Sequence, residues 1–379
     1  MPEIWLKYGS VEVAVELKRE RLEKVYSDPL PSFDNSQVEQ ELQPIRELNE
    51  INLLVGDYES STIDFLRFIT NFIPSTKICV LSNENVLKVL RKFLKDTRID
   101  FSKTDGEKVP VSIVDGAQVK VSQTIAKRNL ILVSSVGFDP LYGFRGSTTA
   151  LLEFSDEQLK YEAIKRESEL IPRPGKETSA GWFLNRIVEE LKEINGIEIV
   201  PGKDGFSKIF YGKIDAVHKR AVEELLKNSS KNVEKKIGLA IVSPGEEIKC
   251  SNLNSALNSL WNIMYACEEG ASIVVLAEAL DGLGSEALKK YVYTGFKVES
   301  VLGKAYIEGL ESLYYLLQAR QKYDLGVVTT LPKTFVEKKL GLKSFQSGNA
   351  AIGYLVEQAE NRKKKISIIV RGDKTLLYA

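Results

Sequence analysis

The residue types that most often do chemistry in proteins are scarce in this chain. It contains 1 His and 3 Cys among 379 residues. Cys79, Cys250 and Cys267 show no CxxC spacing, and one imidazole cannot build a His-ligated metal centre alone. We therefore expect no disulfide framework, no metal site and a reducing compartment. His218, in GKIDAVHKR, is expected on a helix surface or at a hinge rather than in catalysis.

The most specific local feature is a glycine-rich segment at residues 137–154, GFDPLYGFRGSTTALLEF. Its glycines let the backbone approach a ligand, and the three hydroxyl residues after Gly146 can cap a helix whose free N–H groups suit an anion. The spacing is not that of a Walker loop, and no lysine follows Gly146. A phosphate cradle and a plain glycine-rich turn both stay open. The candidate ligand-binding residues here are Gly143, Arg145, Gly146, Ser147, Thr148 and Thr149.

A second candidate is AEALDGLGSEAL at 277–288, directly after a buried apolar run. Ligands of open α/β sheets bind outside the carboxyl ends of the strands, so Glu278 and Asp281 stand where a site would form. Either carboxylate is able to orient a ligand or to act as a base. The alternative is structural, with Asp281-Gly282 forming a turn and Ser285 capping the next helix.

These candidates are positioned by elements that alternate between strand and helix. Residues 4–17 alternate apolar and polar side chains around Gly9-Ser10, which predicts an antiparallel hairpin. Further strands are predicted at INLLVGD, KICVLSN, NLILVSSV, KKIGLAIVS, ASIVVLAEAL, YDLGVVTTL and KISIIVRG. Helical stretches follow most of them, beginning near Thr62, Val86, Asn252, Ser285 and Thr334, with longer helices at 214–227 and 349–363. Short links between strand and helix predict an α/β fold with mostly parallel sheets.

Composition narrows the class of protein. The chain is 43% hydrophobic and 27% charged, which predicts a globular fold with a sizeable core, and its length allows two or three domains at about 150 residues each. Lys+Arg and Asp+Glu number 52 each, so no uniform field attracts nucleic acid or acidic lipid. Because we see neither an apolar run long enough for a bilayer nor a signal peptide, we expect a cytoplasmic protein. Lys- and Glu-rich helices with few Cys and Met would suit a thermophile.

In their order and spacing, four segments resemble the nickel-dependent lactate racemase family over nearly the whole chain. INLLVGD before YESS is similar to the family's strand ending in Asp before a Thr-Arg-Pro turn. Residues 143–149, GFRGSTT, resemble its loop Gly-[Phe/Tyr]-Ser-Gly-Gly-x-Lys, and GKIDAVH resembles its Gly-Asp-x-x-x-Ala-His helix start. SNLNSALNSLWNIMYACEEGASIVVLAEALDGLGS resembles Asn-Leu-Tyr-Gln, a helix, Glu-Gly-Gly, an apolar strand and Ala-Glu-Cys-x-Asp-Gly-x-Gly.

The resemblance implies two α/β domains joined by hinge helices, with the active site in the cleft between them. The first domain would comprise residues 1–213 and, through a returning last strand, 365–379, and the second would comprise 230–348. The hinge helices would lie at 214–228 and 349–364. The family racemises 2-hydroxy acids: a lysine-tethered nickel pincer nucleotide takes a hydride from the α-carbon, and a histidine pair exchanges the hydroxyl proton.

Most residues that the family uses for this chemistry are replaced. The tethering lysine falls at Thr149 or its neighbour, and the turn arginine falls at Ser60, which has no guanidinium for bidentate contact. The acid/base histidines and the nickel-binding histidine have no counterpart. The tyrosine, glutamine and lysine of Asn-Leu-Tyr-Gln-x-x-Lys become Asn254, Ser255 and Asn258.

The replaced groups act as a unit in catalysis, and a similar fold does not by itself imply the same activity. We therefore consider two hypotheses. In the first, the chain is a divergent homologue without nickel-pincer racemase activity and without a cofactor. Its cleft, lined by Asp57, the 143–149 loop and the 278–284 turn, binds a small molecule or a protein partner. In the alternative it is an active 2-hydroxy-acid racemase or epimerase, or another isomerase using carboxylates such as Asp57, Glu59 and Asp281. The nickel pincer nucleotide belongs only to that alternative.

Overall fold

A computed structural model describes residues 3–27, 30–95, 98–104, 106–126, 130–191, 194–203, 205–301 and 304–379. The strands, in chain order, are β1 Glu3–Tyr8, β2 Val11–Glu16, β3 Leu22–Tyr26, β4 Glu50–Val55, β5 Lys77–Ser82, β6 Ile99–Lys103, β7 Lys108–Val114, β8 Ala117–Ser122, β9 Leu130–Ser135, β10 Gly137–Asp139, β11 Gly143–Arg145, β12 Asn195–Gly202, β13 Gly205–Lys213, β14 Ser230–Asn232, β15 Ile237–Val242, β16 Cys267–Leu276, β17 Asp324–Val328, β18 Lys343–Phe345, β19 Ile366–Ile369 and β20 Leu376–Tyr378. The helices are α1 Asn35–Leu42, α2 Ser60–Phe72, α3 Glu84–Phe93, α4 Ser147–Ala150, α5 Glu157–Lys165, α6 Ser179–Glu190, α7 Ile214–Ser229, α8 Glu247–Cys250, α9 Leu253–Trp261, α10 Glu286–Thr294, α11 Leu310–Lys322 and α12 Gly348–Arg362. Within the described ranges, no helix has both the length and the apolarity needed to cross a membrane.

The chain divides into two compact units. The hairpin unit contains Met1–Asp28, Glu169–Gly175 and Ser229–Ala379, and the glycine-loop unit contains Pro29–Ser168 and Lys176–Asn228. Each unit has a six-stranded, mostly parallel sheet flanked by helices. The predicted α/β class with mostly parallel sheets is therefore confirmed.

The sheet of the hairpin unit has the order β18-β17-β16-β15-β19-β3, with every neighbouring pair parallel. Its central strand β15, IGLAIV, is buried along its whole length. Ala240 and Val242 pack into one apolar cluster, while Leu239 and Ile241 pack into the other. A strand covered on both faces must be apolar at every position, which explains its continuous apolar run.

The strand predicted at KISIIVRG is β19, and its position differs from the predicted domain boundaries. β19 lies between β15 and β3 in the hairpin unit, so it does not return to the domain that contains β4. The N-terminal hairpin belongs to the same unit, because Leu6 and Val15 pack with Leu239 and Val274 in one core cluster. The helix predicted as the second hinge, α12, also packs into this core through Leu355.

The glycine-loop unit has the strand order β13-β12-β9-β4-β5-β6, parallel except for the β12–β13 hairpin. From β4 the chain proceeds through α2 to β5 and β6 on one side, whereas β9 pairs with the other side of β4. The strand order therefore reverses between β4 and β9. Such a switch point leaves a crevice at the carboxyl ends of the strands, where ligands of open α/β sheets bind.

Candidate functional site

Asp57 lies at this switch point, two residues beyond the end of β4. Its Oδ1 accepts hydrogen bonds from the Thr62 hydroxyl at 2.6 Å and from the Glu59 N–H at 3.1 Å. Its Oδ2 accepts one from the N–H of Ser135, the last residue of β9, at 2.9 Å. Burial and then the nearby Glu59 charge raise the pKa of Asp57 from 3.8 to about 6, although these donors oppose the shift. The switch point therefore holds a carboxyl group whose pKa is raised to about 6.

Glu59 and Arg145 form an ion pair beside Asp57. Arg145 Nε lies 3.5 Å from Glu59 Oε1, and the Glu59 side chain is only 7% exposed. A Cβ on Gly137 would lie 2.4 Å from Arg145 Nε, so glycine at this position makes room for the guanidinium. Two carboxylates and one guanidinium thus meet at the switch point.

Both glycines of the 143–149 loop adopt positive φ, and each approaches another part of the protein. A Cβ on Gly143 would lie 1.8 Å from the carbonyl oxygen of Lys176. Gly146 has φ of 154°, and a Cβ there would lie 1.8 Å from Oε1 of Glu198. The glycines therefore permit a close approach to other protein atoms, and the expected approach to a ligand stays a prediction.

Glu198 is a fully buried carboxylate in β12 at the back of this loop, with 0% of its surface exposed. The Ser147 N–H donates to its Oε2 at 2.9 Å and to its Oε1 at 3.2 Å, and the Ser147 hydroxyl also donates to it. The Ser134 hydroxyl lies 3.4 Å from Oε2. The first N–H of α4 therefore donates to a carboxylate of the protein itself.

His218, in the first turns of α7, completes this group. Its Nδ1 lies 3.0 Å from Glu198 Oε1, and its Nε2 lies 3.5 Å from the Thr148 hydroxyl oxygen. Only 8% of the residue is exposed, so the prediction of a helix-surface histidine is wrong. The buried Glu198 carboxylate explains the burial, because an imidazole N–H satisfies one of its oxygens.

His218 and Thr148 also line a pocket of about 70 Å³ in the glycine-loop unit. Its other lining residues include Tyr142, Phe144, Trp182 and Asn185. Sequence reasoning missed Glu198, although a signal existed: in GIEIV, residues 196–200, a single carboxylate interrupts an otherwise apolar strand. A charge at such a position requires a buried partner.

Thr149, where the resemblance places the tethering lysine, bonds back to the loop itself. Its hydroxyl oxygen accepts from the Gly146 N–H at 3.0 Å and lies 3.1 Å from the Gly146 carbonyl oxygen. Both of these bonds close the loop on its own backbone.

Glu278 and Asp281 belong to the hairpin unit. Glu278 packs against the β1–β2 turn, where a Cβ on Gly9 would overlap its carboxylate. Burial, followed by the Glu278 charge, raises the pKa of Tyr8 to about 12. Asp281 is exposed in its turn, and the Ser285 hydroxyl caps α10 by accepting from the Leu288 N–H at 3.3 Å. A common pocket of these residues with Asp57 and the 143–149 loop stays a prediction.

A buried ionic group at the carboxyl ends of β15 and β19 was not predicted. Lys374 Nζ lies 3.5 Å from Glu246 Oε1 and 3.5 Å from Asp373 Oδ2, with 3% of the lysine side chain exposed. Across the described residues no three His, Cys, Asp or Glu side chains are grouped so as to hold a metal ion. We interpret the lysine as a structural counter-charge.

Comparison with known proteins gives a fold likeness. The sequence matches no family model and no curated protein. The fold is similar to that of the lactate racemase apoprotein from Thermoanaerobacterium thermosaccharolyticum, with a TM-score of 0.81 and 15% identity over 100% of both chains. It is also similar to that of a protein from Thermotoga maritima, with a TM-score of 0.65 and 12% identity over 93% of this chain and 99% of the other. The chain therefore has a lactate racemase-like two-domain α/β fold.

Proposed function

We propose that this lactate racemase-like protein does not perform nickel-pincer racemisation and instead binds a small polar ligand at the β4–β9 switch point. The likeness to lactate racemase concerns the fold. The residues of the glycine loop speak against binding of the cofactor. A tethered pincer needs a lysine on this loop, whereas Thr149 directs its hydroxyl back to Gly146. The described residues therefore do not fit the group.

The observation that carries this proposal is that the Gly146 and Ser147 N–H groups of the loop already donate to other atoms of the protein. The Ser147 N–H and hydroxyl both donate to the carboxylate of Glu198. This carboxylate occupies the position at which a bound phosphate would accept hydrogen bonds from the start of a helix. A phosphate placed there would meet the buried carboxylate at close range. Like charges in a site of low dielectric repel strongly, so the loop disfavours a nucleotide phosphate.

The test combines cofactor content with activity. Protein purified from its own host should contain no stoichiometric nickel by elemental analysis and should have the intact mass of the bare chain. Chiral chromatography after long incubation should show no interconversion of D- and L-lactate, even with nickel and the pincer nucleotide supplied. Thr149→Lys should not restore it, because the histidine pair is still missing. Nickel near one equivalent, or racemisation that depends on the protein, would overturn the proposal.

The charged side chains at the switch point indicate which functional groups the ligand carries. At the switch point the two carboxylates of Asp57 and Glu59 face one guanidinium, that of Arg145, so acidic groups outnumber the cation and we infer a ligand with hydroxyl or ammonium groups. Thermal unfolding with added L-lactate, D-lactate or L-serine tests this, since a bound ligand raises the melting temperature by mass action. A rise that Asp57→Asn abolishes and that the control Asp100→Asn, at an exposed carboxylate of β6, retains would support the proposal. Absence of a rise with all three, or an equal rise in both variants, would contradict it.

A second candidate is a proton-transfer isomerase, and the pKa of Asp57 near 6 favours it. A carboxyl group with a pKa close to neutral is suited to act as general acid or base. Such an enzyme would exchange the transferred C–H hydrogen with solvent, so L-lactate incubated in D₂O would gain deuterium at its α-carbon. Hydride return by a cofactor would not introduce solvent deuterium. Incorporation lost in Asp57→Asn would favour this candidate over simple binding.

A further inference from the structure

We propose that Thr148, His218 and Glu198 form a nucleophile–base–carboxylate set that transfers a short acyl group from an ester. Thr148 and His218 line the 70 Å³ pocket of the glycine-loop unit, while Glu198 is buried behind them. This inference is independent of the ligand proposed for the switch point, because Asp57 takes no part in it.

The orientation of the His218 imidazole is that of a general base. Glu198 accepts at Nδ1 of His218 at 3.0 Å, which places the ring proton on that nitrogen. Nε2 is then the basic nitrogen, and the hydroxyl oxygen 3.5 Å from it belongs to Thr148. Hydrogen bonds between nucleophile and base are often this long before a substrate binds. Nucleophile, base and orienting carboxylate therefore stand in the order that acyl-transfer sites use.

Among the described residues, no lysine or arginine donates a hydrogen bond to Glu198. Its donors are the Ser147 N–H and hydroxyl, the more distant Ser134 hydroxyl and the His218 ring. A buried carboxylate held by these groups stabilises the imidazolium that forms when His218 takes a proton. Ser147 is therefore a positioning residue that acts through Glu198.

The size and lining of the pocket suit a short acyl group. Pockets for drug-sized ligands measure about 300 to 1,000 Å³, so 70 Å³ admits only a short acyl group such as acetyl. Phe144 and Tyr142 contribute aromatic walls, and Trp182, 58% exposed, offers an apolar surface to the alcohol part of the ester. Asn185 also lines the pocket, and its side-chain amide is the donor that we assign to the developing oxyanion.

The proposed reaction needs only the ester, water and the side chains of this site. Thr148 Oγ1 attacks the ester carbonyl carbon as its proton passes to His218 Nε2. The bond from that carbon to the alcohol oxygen then breaks, and the leaving oxygen takes the proton from His218. Water attacks the acyl-threonine in the same manner, giving its proton to His218, which returns one to Thr148 as the acid leaves.

The test uses the full chain and 4-nitrophenyl acetate. We expect release of nitrophenolate and a mass increase of one acetyl group, located on Thr148 by peptide mapping. Thr148→Val should lower the rate by at least about 100-fold and remove that adduct, whereas Thr148→Ser should keep both. Thr294→Val, which removes a surface hydroxyl in the other unit, should behave as the parent protein.

Two further results separate chemistry from folding. Glu198→Gln should slow acetylation and shift its pH profile, because the amide no longer stabilises the imidazolium, and Thr148→Val should melt near the parent temperature. Acetyl groups only on lysines, or an adduct rate that Thr148→Val leaves unchanged, would overturn the proposal. A Thr148→Ser variant that folds as the parent and forms no adduct would also overturn it.

Discussion

Asp57 gives the protein a specific dependence of stability on pH. Its pKa is about 6 in the folded protein, whereas an ordinary Asp side chain, as in the unfolded chain, has a pKa of 3.8. The folded state therefore binds this proton more tightly than the unfolded state. Stability is therefore lost as the pH rises from about 4 to about 6, by roughly 3 kcal/mol at 1.36 kcal/mol per unit. Asp57→Asn removes this titration. We expect its stability deficit relative to the parent protein to shrink over that pH range.

Urea unfolding at several pH values checks the Asp57 prediction. Asn keeps only one acceptor oxygen, so it loses the bond from either the Thr62 hydroxyl or the Ser135 N–H at every pH. The informative quantity is therefore the slope and not the stability at one pH. Asp281→Asn, which alters an exposed carboxylate, should keep the parent slope. Parallel curves for the parent protein and Asp57→Asn would show that the carboxyl group titrates normally.

Lys374 is expected to be essential for stability. Lys374→Met keeps the length of the side chain and removes its charge, leaving the Asp373 and Glu246 carboxylates without this cation. Removing one partner of a buried ion pair costs about 3 to 5 kcal/mol, which chemical denaturation would detect. Lys333→Met breaks an exposed pair with Glu337 and should cost less than about 1 kcal/mol. A Lys374→Met variant as stable as the parent protein would contradict this interpretation.

The 143–149 loop is the element whose geometry can be tested most sharply. Gly146→Ala would place a Cβ 1.8 Å from Glu198 Oε1 and 2.8 Å from the His218 ring, so the loop must move off both. We expect a loss of several kcal/mol of stability, on the scale of overpacking plus backbone strain. Gly116→Ala is the matched control, since Gly116 has φ of 77° with open space around it and should cost only about 1 kcal/mol. Equal melting temperatures for the two variants would contradict this account.

Elements defined by local pattern were predictable from the sequence. The N-terminal hairpin, the apolar runs of β15 to β17 and the caps Asn252 and Ser285 all follow from alternation, burial and capping chemistry. Thr334–Leu340 was expected as an ordinary helical stretch and is a π-helical turn. The β12–β13 hairpin was not predicted, because Pro201 and Gly202 interrupt the strand pattern and its register shifts at Val200/Pro201.

At the scale of the whole molecule, strand order was the part that sequence could not supply. The apolar run of β19 predicts a buried parallel strand but says nothing about its neighbours. Those neighbours are β15 and β3, and β3 is more than 300 residues away along the chain. An apolar strand of this kind is compatible with the sheet of β15 and with the sheet of β4, so only long-range packing determines which of the two contains it. The Glu198–His218 pair was missed for the same reason, since twenty residues and a hairpin separate its members.

Ile368→Pro tests this strand order directly. Ile368 is fully buried in β19, and proline there removes a ladder donor in the middle of the sheet. We expect hydrogen exchange to accelerate in β15, β16 and β19, while β4, β5 and β9 keep their protection, because the two units bury separate cores. Ile368→Val keeps the donor and should leave exchange unchanged in both units. If β19 instead belonged to the sheet of β4, as the family resemblance implied, protection would be lost in β4, β5 and β9. Mass spectrometry of peptides from each strand distinguishes these outcomes.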